Sequence, residues 1–263
     1  MRRLLGIGFI SLFATTSLLA QDSGASNNWN LTLGIGARVT PQFMGSSEYS
    51  IRPRPVFGLS RGLTSRWHSA ADDAIGPGLI FGENWRAGLS GAILWERRES
   101  SDRRLRGLGN VPFGFEAGAF AEYYVLPWLR ARADLRRGFL AHDAVRGELK
   151  LDAFGSLTDK LSFGLGPRVV LATADFNRTY LGVTAAQVAA SGLPAYRPKG
   201  GVESIGFLTQ ATYAWTPRLR TTVSAEYRQL VGDAGRAPLV RQRGSRDQFS
   251  FGLATSYTFD LGR

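Results

Sequence analysis

The sequence predicts an all-β chain: a transmembrane antiparallel up-and-down β-barrel of about 12 strands, with one short helix in an extracellular loop. Three observations predict it. Hydrophobic alternation of period two recurs along the chain, tight turns alternate with long connections, and the chain starts with an export signal.

The export signal comes first. Arg2 and Arg3 precede the apolar run LLGIGFISLFATTSLLA, and polar QDSGASNN follows Ala20. A basic start, a short apolar stretch and a small residue at the cut describe a secretory signal peptide over 1–20, leaving a barrel over 21–263. Leu18 stands where a small residue is preferred. The alternative is an uncleaved anchor helix, but the run is about the minimum for a span and rich in Ser, Thr and Gly, which favours cleavage. Past residue 20 no apolar run reaches the roughly 18 residues of a helical span.

Composition narrows the class further. Cysteine is absent, which excludes disulfides, a thiol nucleophile and lipid attachment at a cysteine. The 32 glycines and frequent aromatics suit an all-β chain. The formal net charge of +11 becomes +9 without Arg2 and Arg3. The arginines are scattered singly through alternating segments with no DNA-binding motif, so nucleic acid is not an expected partner.

The alternating segments lie near 28–40, 49–60, 63–69, 75–82, 84–97, 113–126, 128–138, 144–155, 160–174, 201–215, 218–231 and 247–259. The third and fourth alternate weakly. Pro53 and Pro55 mark the second as irregular or bulged near one end. Tight connections (GEN at 82–84, LPW at 126–128, SLTDK at 156–160, TPR at 216–218) alternate with long ones at 98–112, 175–200 and 232–246. Short periplasmic turns and long outer loops are the barrel pattern, and each segment has about the ten residues needed to cross hydrocarbon when tilted. Aromatics at segment ends, among them Trp29, Trp85, Trp128 and Phe259, suit interfacial girdles. A soluble β-sandwich is the competing reading, but it explains neither the export signal nor the turn asymmetry.

The last segment, DQFSFGLATSYTFDLGR, alternates an apolar face (Phe249, Phe251, Leu253, Tyr257, Phe259) with a small polar one. The apolar face would meet lipid while the strand pairs with the first and leaves no edge. The inward set then carries charge: Arg130, Arg132, Asp134, Arg136, Arg146, Glu148, Arg220 and Glu226 among others. Two readings stand: a salt-bridged lumen holding strands in register, or an arginine-rich pore or pocket favouring anions.

The loop DFNRTYLGVTAAQVAASGLPAYRPKGG specifies its own helix. Thr184 and Gln187 form a capping box inside a Val183/Val188 staple, Gly192 supplies the stop and Pro194 follows. Such a loop is either a binding lid at the mouth or packing for the rim. Its candidate residues are Tyr180, Thr184, Gln187, Gly192, Pro194 and Tyr196, with Arg243 and Ser245 from the last long loop.

YLGVTAAQVAASGLPAY resembles the signature loop of the MipA/OmpV family of outer-membrane proteins. RPRPVF after GSSEY, RLRGLGNV, and GDAGRAPLVRQRGSRDQFSFGLATSYTF resemble three further blocks in the same order, over nearly the whole mature chain. The four residues after Phe259, and Ala185 where a proline is common, depart from the pattern. The resemblance implies a non-catalytic barrel of the Gram-negative outer membrane that scaffolds cell-wall enzymes, bridging a periplasmic lytic transglycosylase to a murein synthase. Other members are linked to adhesion and antibiotic response. Expected contacts are outer-membrane lipid and the barrel-assembly machinery, which would read Phe259 as the terminal aromatic. Periplasmic partners would have to use the turns at Asn84, Trp128, Asp159 and Pro217, residues 21–28, or the DLGR tail.

Catalysis is not expected. A hydrolase usually needs histidine, and only His68 and His142 exist. His142–Asp143 and His68 with Asp72–Asp73 are each placed on outer hairpins, and adjacent strand residues point to opposite faces. No metal-ligand spacing or phosphate loop appears, so no cofactor is expected. The alternative to a scaffold is a narrow channel or small-solute or antibiotic-binding barrel using the arginine-rich lumen.

Overall fold

The computed structural model describes residues 28–61 and 67–262. The expected signal peptide, residues 21–27, residue 62, residues 63–66 of the third expected segment, and Arg263 lie outside them. The described residues form one antiparallel sheet of 11 strands. They are β1 Trp29–Pro41, β2 Tyr49–Arg61, β3 Gly78–Phe81, β4 Trp85–Leu94, β5 Gly114–Leu126, β6 Leu129–Phe139, β7 Val145–Ser156, β8 Leu161–Ala172, β9 Gly201–Ala214, β10 Leu219–Leu230 and β11 Asp247–Asp260. From β3 to β11 every strand pairs with its successor, and β11 then pairs with β1, which pairs with β2.

The alternation dictates the two faces. Along β1, Leu33, Ile35 and Val39 are exposed, while Thr32, Arg38 and Thr40 turn inward. Ile35 and Ile51 are each 75% exposed, a waste of apolar surface in water but the requirement in lipid. Trp29, Trp85, Tyr123, Trp128, Trp215 and Tyr257 ring the short-turn end; Tyr49, Trp95, Phe113 and Phe139 ring the other. Among the described residues no helix is long and apolar enough to cross a membrane; the strands cross it instead.

The strand count corrects the expected 12. An antiparallel ring needs an even number of strands, and 11 leave β2 and β3 pointing the same way, both toward the short-turn end. The chain between them must climb back, and residues 67–77 do so inside the barrel. They form no strand, apart from a bridge at Ile75 to Gly91 (2.7 and 2.9 Å). The weak fourth segment is reduced to the four residues of β3.

The second segment is regular rather than bulged: β2 pairs with β1 over 13 consecutive positions without a shift. Gln42 N donates to Glu48 O (3.0 Å), which fixes the even-numbered β2 residues as those bonded to β1. Pro53 and Pro55 therefore face the free edge, where their missing N–H groups break no bond.

The outer mouth carries four helices rather than one: α1 Ala174–Leu181, α2 Ala185–Ser191, α3 Gly232–Arg236 and α4 Pro238–Arg243, with a helical turn at Arg103–Leu105. Only α2 is fully punctuated by its own sequence. Gln187 Oε1 accepts from Thr184 N (2.9 Å), and Gly192 takes the left-handed conformation, φ 71°.

Candidate functional site: the lumen and its cap

The cap is built from loops on all sides of the mouth. Phe43, Leu105, Leu108, Val183, Leu193 and Leu239 form one buried core. Leu181, Leu230, Ala234, Ala237 and Val240 form a second, with Met44, Tyr180 and Tyr196 against it. The eight loop residues singled out from sequence all lie here. Arg243 donates to Arg104 O (2.8 Å) and to Ser191 O, tying α4 to the C-terminal end of α2, where a cation suits the dipole. Gln187 Nε2 donates to Leu108 O (2.7 Å). Gly107, φ 79°, lies against Ala190; a Cβ there would meet backbone at 2.4 Å. Tyr196 pairs with Val183 through both backbone groups and donates its hydroxyl to Asp233 O (2.9 Å). The Asp233 carboxyl accepts from Lys199 N (2.6 Å) and Arg236, which hold it below the usual carboxylate range. Ser245 N bonds Gly45 O (2.9 Å). Pro194 is exposed. Tyr180 rests on Phe176, and burial pushes its hydroxyl up to about 12. These residues knit the rim; only Thr184 and Gln187 also line a small pocket of about 250 Å³.

Inside, β6 and β7 supply a ladder of charge. Arg130, 0% exposed, donates to Asp73 (2.8 and 3.0 Å), Asp152 (2.7 Å) and Glu122 (3.2 Å). Arg132 grips Asp134 (2.8 and 2.9 Å) and lies 3.8 Å over the Phe120 ring. Arg136 meets Glu116 (2.9 Å), and Arg146 meets Glu203 (2.9 and 3.1 Å). Glu148 lies 3.5 Å from Lys150, Arg136 and Arg228, and Arg38 and Arg228 both hold Glu226. The cations satisfy carboxylates on their own strand, on strands one or two away and in residues 67–77, which offsets desolvation and ties the interior together. Arg220 differs: it is exposed to the lumen near the short-turn end and makes no ion pair among the described residues.

The ladder also holds residues 67–77. Arg168 takes Asp72 with two bonds (2.8 and 3.0 Å), and Lys150 Nζ donates to the Asp72 carbonyl (2.8 Å). His68 stacks on Phe154 (4.8 Å), and Ala70 and Ala71 bury against Phe154 and Leu208. This corrects the placement of His68, Asp72 and Asp73 on an outer hairpin: they sit inside the barrel as an internal plug. His142 is buried at the mouth against Phe176 (5.0 Å), whereas Asp143 turns outward to Arg137 (2.6 Å), so the two diverge.

Beside the plug runs a cavity of about 1070 Å³. It exists because the wall from β1 to β2 and β9 to β11 presents small inward residues, such as Gly34, Gly36, Thr222, Ala254 and Ser256, opposite the long charged chains of β6 and β7. Thr158, Asp159, Lys160 and Thr258 line its short-turn end, and no residue of α1 to α4 lines it. The cavity therefore opens toward the short turns and stops below the cap. Asn84, Trp128, Asp159 and Pro217 sit in the turns of that same end, beside the chain terminus, where Leu261 N bonds Trp29 O (2.8 Å).

Lipid-facing apolar strands around a polar, charged interior define an outer-membrane β-barrel protein. Over residues 33–259 the sequence matches the family described as MltA-interacting protein MipA, and the chain belongs to that family. In fold it is similar to the COG4313 outer membrane channel from Pseudomonas putida F1, at 10% identity and TM-score 0.47, over 89% of this chain and 96% of that one. It is also similar to the CymD monoaromatic hydrocarbon channel (9%, TM-score 0.38, 90% of each). OprG from Pseudomonas aeruginosa is a third (9%, TM-score 0.31, 90% and 99%). No curated protein matches its sequence.

Proposed function

We propose that this chain is a non-catalytic scaffold of the outer membrane whose periplasmic end receives a murein-degrading lytic transglycosylase and a murein synthase. One observation carries the reading. The outer mouth carries the packed cap, none of whose helices line the cavity, while the cavity reaches the end where the four short turns lie. Short turns face the periplasm in outer-membrane barrels. The family's name, that of a protein interacting with MltA, agrees with a periplasmic partner. Among the described residues the plug fills part of the lumen and no residue of α1 to α4 lines the cavity, which favours the scaffold over the channel despite the arginines.

Exchanging the turns at 82–84 and 156–160 for unrelated turns of equal length tests this. The exchanged barrel folds, and its recovery of a lytic transglycosylase from solubilised envelopes falls at least tenfold. Undiminished recovery contradicts the reading. For the channel alternative, bilayer recordings of the parent protein give no steady conductance; a stable anion-selective current would revive it.

A further inference from the structure

Among the described residues no strand pairing joins β2 to β3 or β4. The odd strand count leaves β2 with no partner beyond β1 among the described residues. Its edge-facing positions include Pro53 and Pro55, which cannot donate to a further strand, so the edge is built not to close. On the other side, Asn84 O accepts from Tyr124 N (2.7 Å), so even-numbered β4 residues bond β5 and odd-numbered ones face the gap. Pro77 O and Ile75 cover that edge at Leu89 and Gly91. Above Gly91, no described backbone partner covers it at Ile93.

The cavity is lined from both sides of this gap. Pro53, Pro55 and Phe57 of β2, and Ile93 and Trp95 at the end of β4, are outward positions, yet all line the same cavity as inward Arg52 and Arg54. Arg52 reaches across the gap over the Trp95 ring (6.0 Å) and donates to Gln42 O (2.8 Å). Arg54 donates to the Ala71 carbonyl. Neither makes an ion pair with a carboxylate among the described residues. The acids that act on Arg54 (Asp72, Asp73 and Glu226) are already held by other cations. Two cations without paired acids, just inside an apolar slot that opens on acyl chains, match one chemistry: an anionic headgroup attached to a hydrocarbon tail.

We propose that the gap between β2 and β4 is a lateral portal that binds an anionic lipid from the surrounding leaflet. Its headgroup lies on Arg52 and Arg54, and its acyl chain leaves between Pro53–Phe57 and Ile93–Trp95. This stands independently of the scaffold reading, since it uses the wall rather than the periplasmic turns.

The test is photolabelling of the folded barrel in vesicles containing a trace of phosphatidylglycerol with a diazirine in its acyl chain. Phosphatidylcholine carrying the same chain is the neutral control. Peptide mapping is expected to place the phosphatidylglycerol label on residues 51–57 and 91–95, with the control labelling them about tenfold less. Arg52→Gln with Arg54→Gln, shown folded by heat-modifiable migration, lowers the label at these peptides by a similar factor. The headgroup comparison needs no variant. Label spread evenly round the lipid face, equal labelling by both headgroups, or displacement of the label by millimolar inorganic phosphate would each overturn the proposal. The last would mean that the arginines hold a free anion and the slot holds nothing.

Discussion

Arg130→Ala is expected to destabilise the barrel by about 3–5 kcal/mol, among the largest effects available to one side chain. Arg130 is wholly buried and touches Asp73, Glu122 and Asp152 at once, and its guanidinium lies 5.2 Å over the Phe154 ring. Removing it takes one cation from three converging carboxylates that Arg86, Arg132, Lys150 and Arg168 still pair, so the loss comes from excess buried negative charge rather than one missing bond. Urea unfolding of the refolded barrel in detergent, followed by tryptophan fluorescence, reads the effect. Arg137→Ala is the control. Its pair with Asp143 is exposed on both sides, and its midpoint should not move. Equal midpoints for the two variants would mean that the lumen charges are solvated and hold nothing together.

The second large effect concerns the plug. Asp72→Asn with Asp73→Asn is expected to release residues 67–77 while leaving the wall intact. The cations that lose these partners keep others: Glu122 and Asp152 for Arg130, Asp152 for Arg168, Glu148 for Lys150. The chain has no cysteine, so Ala70→Cys, at a site only 6% exposed, gives a clean reporter. Losing about 3 kcal/mol of anchoring raises labelling of that cysteine by a water-soluble maleimide about a hundredfold. Conductance stays low in the same variant, because the cap is untouched. Unchanged labelling would show that His68 stacking and the Ala70–Ala71 contacts hold the plug without the aspartates.

The wall was legible from sequence because lipid and lumen make opposite demands on alternate residues, and that period survives in every long strand. Arg130, Arg132, Arg136, Arg146 and Glu226 were placed inward on that basis alone. The plug was not legible. WHSAADDAIGP has no period, and its aspartates look like turn residues. What places them is Arg130, 57 residues on, and Arg168, 96 residues on. A signal was nonetheless present in RPRPVF, where two prolines of the same parity must both face away from the neighbour that β2 pairs with. In the cap, α2 was readable through Thr184, Gln187 and Gly192. The short helices α3 and α4 were not, since burial of Ala234, Leu239 and Val240 in the two cap cores stabilises them rather than their own punctuation.

Partners are expected to meet this barrel from the periplasm. A photo-crosslinking amino acid placed in living cells at Asn84, Asp159 or Pro217, and for comparison at Pro194 in the cap, tests it most directly. Adducts with a lytic transglycosylase or murein synthase are expected from the turn positions and none from Pro194. Adducts of cell-wall enzymes from no turn position, with the barrel-assembly machinery still captured, would contradict it.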